Sequence, residues 1–340
     1  VSKRAIIMRA PAFWTVREGR DSAPILRLLL TPLGWLYGAS VARRIATAAP
    51  LKLPIPVISI GNISAGGTGK TPLAQLLRTL LADMLGGPVA IVSRGYGGTL
   101  EGPLRVDLAR HSALEVGDEP LMLARDGPVF IAKDRAQAGQ LAAQSGMAGI
   151  ILDDGHQNPS LEKAVSFVVV DGEVGFGNAR LIPAGPLREP PATGLARADA
   201  VIVMGALSDE AREDLSGYQG SVFYADLVTG PIDLKGPVLG FCGIGRPEKF
   251  DLSLREAGLD VVDLHPFGDH YVYRRHELER LEQWAKEAGA RLVTTAKDYV
   301  RLPADFAAQV HVLSVAARLS DQGAFIAFLR AKLDTQVVQD

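Results

Sequence analysis

Gly61-Asn62-Ile63-Ser64-Ala65-Gly66-Gly67-Thr68-Gly69-Lys70-Thr71-Pro72 sets the reading of all 340 residues. It follows the apolar run Pro54-Ile55-Pro56-Val57-Ile58-Ser59-Ile60. Leu73, Leu76, Leu77, Leu80 and Leu81 come after it, at the spacing of one helix face. A strand, a glycine-rich turn and a helix opening on Gly-Lys-Thr form the context of a phosphate-binding P-loop. Glycines let the turn bring backbone N–H groups close to a phosphate. The helix N-terminus adds its partial positive charge. Ser64, Ala65, Gly66, Gly67, Thr68, Gly69, Lys70 and Thr71 are therefore expected to bind a nucleotide triphosphate. In that arrangement Lys70 reaches the β- and γ-phosphates, and the Thr71 hydroxyl ligates Mg²⁺. Ser64 stands where the usual pattern has its first glycine, with glycines at 66 and 67 instead.

Working outward, the rest of the first two-thirds reads as a parallel α/β fold. Pro88–Val92 is a short apolar run that ends in Ser93-Arg94-Gly95-Tyr96-Gly97-Gly98. Ligands of open α/β sheets bind beyond the carboxyl ends of the strands, so Arg94 and Tyr96 belong at the edge of the site. Val129–Ala132 leads to Lys133-Asp134-Arg135 in the same way. Gly149-Ile150-Ile151-Leu152-Asp153-Asp154-Gly155 has the form of a Walker B element, an apolar strand whose terminal carboxylates hold Mg²⁺ opposite Thr71. Asp118 and Glu119 begin an apolar helical stretch, where acids also serve simply to stabilise the helix dipole. Two more strands, 165–171 and 198–204, flank a long Gly/Pro-rich loop. It carries Asn178, Arg180, Arg188 and Glu189, a polar set suited to a phosphorylated or sugar ligand.

From about residue 221 a second α/β series begins, with strands near 221–225, 237–242, 261–264, 291–295 and 310–315. The expected organisation is thus an N-terminal segment (1–50), a P-loop domain (51–220) with helices on both faces of its sheet, and a smaller α/β domain (221–340). In the last, His265-Pro266-Phe267-Gly268-Asp269-His270-Tyr271 concentrates titratable groups. Thr295-Ala296-Lys297-Asp298 fails as a guanine-reading motif, because its lysine and aspartate are adjacent.

The net charge of −2 speaks against a nucleic-acid binder, and the single cysteine, Cys242, rules out a disulfide within the chain. Charge is unevenly spread. Lys3, Arg4, Arg9, Arg17, Arg20, Arg27, Arg43 and Arg44 against Glu18 and Asp21 give residues 1–50 a net +6, which leaves −8 for the rest. Between Arg27 and Arg43 lie fifteen uncharged, mostly apolar residues, short of the roughly 20 that a comfortable membrane span needs. With Trp35, Tyr37 and flanking arginines, the segment reads as an amphipathic helix in a membrane interface. The alternative is a helix buried against the main domain.

Five ordered strings resemble the tetraacyldisaccharide 4'-kinase family. They are Ser59 through Pro72, Ser93-Arg94-Gly95-Tyr96-Gly97-Gly98, Gly117-Asp118-Glu119-Pro120, Asp153-Asp154-Gly155, and Leu181 through Pro190. The resemblance implies ATP-dependent phosphorylation of the 4'-hydroxyl of a tetraacylated glucosamine disaccharide 1-phosphate, giving lipid IVA. It places the reaction at the cytoplasmic face of a Gram-negative inner membrane. It further implies ATP and Mg²⁺ as cofactors, a lipid substrate, a monomer and no nucleic acid. Asp118 is then the catalytic base supported by His270, with Lys70 on the phosphates. Thr71, Glu119, Asp153 and Asp154 organise the metal, and Arg94, Tyr96, Arg135, Asn178 and Arg188 face the substrate. Two positions depart from the family pattern. Asp153-Asp154-Gly155-His156-Gln157-Asn158 lacks its terminal histidine, and Asp269-His270-Tyr271 has one histidine where two are usual. A P-loop enzyme with a soluble substrate, or a nucleotide-switch ATPase, is the competing reading.

Overall fold

A computed structural model describes residues 11–337; Lys3, Arg4 and Arg9 of the basic N-terminus lie outside it. The strands are β1 (Val57–Gly61), β2 (Val89–Ser93), β3 (Leu104–Arg105), β4 (Val129–Ile131), β5 (Gly149–Asp153), β6 (Val165–Asp171), β7 (Ala200–Met204), β8 (Ser221–Thr229), β9 (Pro237–Cys242), β10 (Asp260–Pro266), β11 (Arg291–Thr295), β12 (Val310–Leu313) and β13 (Val315–Leu319). Nine of them form one sheet in the order β13-β8-β7-β6-β1-β5-β2-β4-β3. Only the outermost pairs, β13·β8 and β3·β4, are antiparallel.

Every residue of β1, β2, β5 and β7 is buried, as expected of parallel strands covered on both faces. Alternation sorts the side chains between layers. Ile58, Ile60 and Ile151 pack with Leu73, Leu77 and Leu81 of helix α2 (Lys70–Leu85), while Val57, Ile150 and Leu152 pack with Ala138 and Ala142 on the opposite face. The remaining four strands form an all-parallel sheet, β10-β9-β11-β12, with its own core around Leu239, Phe241 and Val293.

Sheet membership departs from the expected boundary at residue 221. β8 extends the first sheet beside β7, and β13 returns along the outer edge of β8. The C-terminal helix Gln322–Val337 also lies on the first sheet, where Phe325 meets Phe167 at 5.3 Å and Phe223 at 4.9 Å between ring centroids. Packing of these three rings, with Phe167 and Phe325 fully buried, binds the chain end to the larger unit. The second unit, β9 to β12 with their helices, thus lies in the chain between β8 and β13. The polar stretch between β7 and β8 contains the helix Asp209–Leu215.

Helix α1 (Pro24–Ala46) runs unbroken through Pro32. The face turned to the protein presents Gly34, Gly38 and Val41, and Leu181 fills the notch over the two glycines. The outward face presents Ile25, Leu28, Leu29, Leu33, Trp35 and Leu36, all exposed. Burial of α1 against the main domain is therefore not what the structure has. Nor is the helix amphipathic in the expected sense, because small residues rather than charges oppose the bulky apolar side. Its length and composition alone meet the requirement of a membrane span.

Candidate functional site

The parallel register brings the chemistry to one edge. Ile60 of β1 lies beside Asp153 of β5, so the glycine turn and the acid pair leave the sheet together. Gly66 (φ 132°) and Gly69 (φ 80°) take backbone conformations open to glycine, and Gly69 caps α2 so that Lys70 and Thr71 form its first two residues. The loop is pinned from outside: Ala65 N–H donates to Pro186 O at 2.7 Å, and Ser64 bridges to Leu187. Gly66 and Gly67 stay exposed, leaving their backbone open to a ligand.

Asp153 and Asp154 sit opposite this turn in different electrostatic states. Burial pushes the Asp153 carboxyl up to about 6, with the charge of Glu119 adding to it. Burial also raises Asp154, but Lys70 and Arg188 outweigh it and hold that carboxyl below its ordinary value. Arg188 Nη1 donates to Asp154 Oδ2 at 2.7 Å, and Lys70 Nζ lies 3.5 Å from Oδ1. That Oδ1 is buried without a hydrogen bond. Arg135 clamps the pair from behind, its Nη1 donating to the carbonyls of Asp153 (3.2 Å) and Asp154 (2.8 Å).

The second unit supplies the other half of the site. Asp118, buried, opens the helix Asp118–Leu123. His270 Nδ1 meets its Oδ2 at 2.8 Å. Lys297, in the helix Ala296–Tyr299 that follows β11, places Nζ 3.2 Å from His270 Nε2 and 3.4 Å from Glu119 Oε1. Arg301 Nε lies 3.9 Å from Asp118 Oδ2. Burial pushes the Asp118 carboxyl up, yet the His270 hydrogen bond and the charges of Lys297 and Arg301 bring it below its usual value. Asp118 is thus an oriented carboxylate, able to accept a proton.

The groups near the turn that could ligate a cation are oxygens: the Thr71 hydroxyl in the first turn of α2, the carboxyls of Asp153 and Asp154, and that of Glu119, whose charge acts on Asp153. Among the described residues no cluster of three or more His, Cys, Asp or Glu is arranged to enclose a metal. Mg²⁺ fits such an open site, because it keeps waters and nucleotide oxygens and takes only one or two carboxylates from protein. The unbonded Asp154 Oδ1 and the buried Asp153 carboxyl, pushed up to about 6 by burial and the charge of Glu119, both suit a cation.

A family model described as tetraacyldisaccharide-1-P 4'-kinase matches residues 26–334. The chain belongs to that family. It is 47% identical over 337 residues to the tetraacyldisaccharide 4'-kinase of Maricaulis maris, covering 97% of this chain and 98% of the relative. It is 46% identical over 330 residues to that of Caulobacter vibrioides, covering 94% and 97%. A crystal structure of the "apo" form of LpxK from Aquifex aeolicus in complex with ATP superposes with a TM-score of 0.74 at 28% identity, covering 91% of this chain and 99% of that one. As a tetraacyldisaccharide-1-P 4'-kinase family member, the chain is a phosphotransferase of lipid A biosynthesis.

With the 4'-kinase family in view, the expected residues divide. Lys70, Arg188, Asp153, Asp154 and Glu119 act on one another, Asp118 and His270 join them through Lys297, and Thr71 follows Lys70 in the first turn of α2. Arg94 and Tyr96 lie exposed at the end of β2. Arg135 spends its Nη1 on the backbone of the acid pair, with a buried Nε left unpaired. Asn178 departs from expectation. Its amide donates to Phe13 O (3.0 Å) and Ala184 O (3.1 Å) and its carbonyl accepts from Arg180 N–H (3.0 Å), so it ties the long loop to the N-terminal segment.

Both departures from the 4'-kinase pattern, at 156–158 and at Tyr271, fall on residues held by local contacts, the Tyr271 hydroxyl donating to Glu277 Oε1 at 2.7 Å. His156 is buried, its Nε2 2.9 Å from Gly194 O, and burial lowers its ring to about 4. Asn158 accepts from Ser160 within a turn. Gln157, Lys297 and Arg301 were missed as site residues. Gln157 Nε2 joins Asn62 O and Glu189 Oε1, both at 2.8 Å, linking the P-loop strand to the Pro-rich loop. The signal for Lys297 was its place just after a strand, in the string that failed as a guanine motif.

Proposed function

We propose that the chain transfers the γ-phosphate of ATP to the 4'-hydroxyl of a tetraacylated glucosamine disaccharide 1-phosphate, giving lipid IVA. The observation that carries the reading is the run of contacts that links the buried Asp118 carboxylate, through His270, Lys297 and Glu119, to the acid pair beside Lys70. Asp118 takes the proton of the 4'-hydroxyl while its oxygen bonds to the γ-phosphorus; the bond to the bridging oxygen breaks and ADP leaves. Lys70 and the backbone of Ser64–Gly69 hold the phosphates. Thr71, Asp153, Asp154 and Glu119 are the residues to hold Mg²⁺, which neutralises charge on the phosphates when bound. Arg94, Tyr96 and Arg188 face the disaccharide or its phosphate.

The outward face of α1 supports action at a bilayer, since a soluble surface rarely presents so many bulky apolar side chains together. A groove of about 290 Å³ lies between α1 and the Pro-rich loop, lined by Trp35, Gly38, Ala42, Ile45, Leu181 and Pro190. We place the chain, as a monomer, at the cytoplasmic face of the inner membrane, with two units, 230–314 and the remainder, meeting over the site. The test is ³²P transfer from ATP to tetraacyldisaccharide 1-phosphate in detergent micelles. Product is expected with the native chain and none with Lys70→Ala. ATP hydrolysis without lipid product would favour a nucleotide-switch ATPase instead.

A further inference from the structure

Charged groups meet the His270 ring from three elements. Asp118 Oδ2 faces Nδ1 at 2.8 Å, from the helix Asp118–Leu123. Lys297 Nζ faces Nε2 at 3.2 Å, from the helix Ala296–Tyr299. Asp269 Oδ1 lies 3.9 Å from Nε2 in His270's own loop and 3.8 Å from Lys297 Nζ. Glu119 Oε1, 3.4 Å from Lys297 Nζ, completes the charged set around the ammonium.

Donor counting then orders this chain. An ammonium has three donors and no lone pair, so the ring nitrogen facing it has to accept. A neutral imidazole offers one acceptor and one donor. With Nε2 accepting, the ring proton sits on Nδ1, where it meets a carboxylate that only accepts. The other Asp118 oxygen, Oδ1, takes the Glu119 N–H at 3.0 Å, so both sides of the carboxylate are held while each oxygen keeps a free lone pair.

We propose that Lys297 is a positioning residue for phosphoryl transfer: its donation to Nε2 holds His270 in the Nδ1–H tautomer and thereby keeps Asp118 aimed at the acceptor hydroxyl. The role rests on Asp118 being the base. Without the ammonium, the ring is free to carry its proton on Nε2, and a bare Nδ1 then faces the carboxylate lone pairs. The bond becomes a repulsion and the orientation of Asp118 is lost.

The fold builds this geometry from one buried carboxylate. Asp298, fully buried, binds Arg301 and accepts from Gly243 N–H (2.8 Å) and Tyr273 Oη (2.6 Å). Arg301 Nε donates to Lys297 O at 3.2 Å, and Gly243 O accepts from His270 N–H at 3.2 Å. The ammonium and the imidazole therefore hang from a shared anchor, which fixes their separation. His270 itself sits at φ 55°, a backbone strain for a side-chain-bearing residue that such support maintains.

The experiment uses the full chain with ATP, Mg²⁺ and tetraacyldisaccharide 1-phosphate in micelles, comparing Lys297→Met, Lys297→Arg and Asp118→Ala. Histidine ring nitrogens are read by ¹⁵N NMR, with His270→Gln assigning the signal. Lys297→Met is expected to lower kcat roughly 100-fold, the low end of what a positioned acid–base group contributes. The KM values stay within about twofold, because ground-state binding is untouched. The His270 signal moves away from the Nδ1–H pattern. Lys297→Arg, also donor-only, restores that pattern and part of kcat. Unchanged kcat or an unchanged tautomer in Lys297→Met overturns the proposal, as does a loss confined to the KM for ATP, which makes Lys297 a nucleotide contact. If Asp118→Ala keeps its kcat, the base assignment itself fails. If Asp118→Ala is inactive while Lys297→Met is unaffected, only the positioning role fails.

Discussion

His270 Nδ1 lies 2.8 Å from Asp118 Oδ2, and the two residues are 152 positions apart in the chain and belong to different sheets' surroundings. Neither unit alone therefore contains the oriented base. Asp118→Ala is expected to lower kcat about 100- to 10,000-fold, the range of general-base contributions. ATP KM should move little, as steady-state kinetics at saturating lipid will tell. An equal loss in ATP affinity would make Asp118 a nucleotide or metal residue.

Asp153 gives a stability signature. Its folded carboxyl titrates at about 6, against about 3.9 in an unfolded chain. The folded state thus binds the extra proton between those values, and the cost of the buried charge is absent below pH 4 and complete above pH 6. Without metal, Asp153→Asn should be more stable than the native chain by up to about 3 kcal/mol at pH 8. The difference should vanish near pH 4. Thermal unfolding in chelator across that range measures it; added Mg²⁺ should raise the Tm of the native chain more than that of the variant.

The outward face of α1 predicts a separation of lipid and nucleotide effects. Leu28 and Leu36 are both largely exposed. Burying a leucine side chain contributes about 1.5–3 kcal/mol. The double change Leu28→Ser with Leu36→Ser should weaken partitioning to anionic vesicles on the order of tenfold or more, and leave ATP binding unchanged. Flotation assays and nucleotide titration provide the two readouts. Undiminished vesicle binding would rule out this face as the membrane contact.

Asn178 distinguishes support from recognition. Removing its amide leaves Phe13 O and Ala184 O without their partner. A lost buried partner costs about 1–3 kcal/mol, so Asn178→Ala should lower Tm while the lipid KM of the folded fraction holds. A raised lipid KM at unchanged Tm would return Asn178 to the substrate contacts.

Features whose geometry is local could be read from the residues in order. A glycine turn between a strand and a helix has few conformations, so Ser64–Thr71 announced a phosphate site. An acid pair ending an apolar strand had to emerge at the same edge, because parallel strands place all their carboxyl ends together. Asp118 and His270 were legible through the strings that hold them. Which distant residues share a contact became fixed only on packing. β8 and β13 join the first sheet because Phe223 packs on Phe325, a pairing absent from either local pattern. Asn178 reads as a ligand contact until the carbonyls it satisfies are known. Lys297 looked like half of a failed motif, and its place beside His270 depends on Asp298, Arg301 and Gly243 meeting in a buried network. Local strings specify backbone shape; the partner of a donor is settled only when the chain has packed.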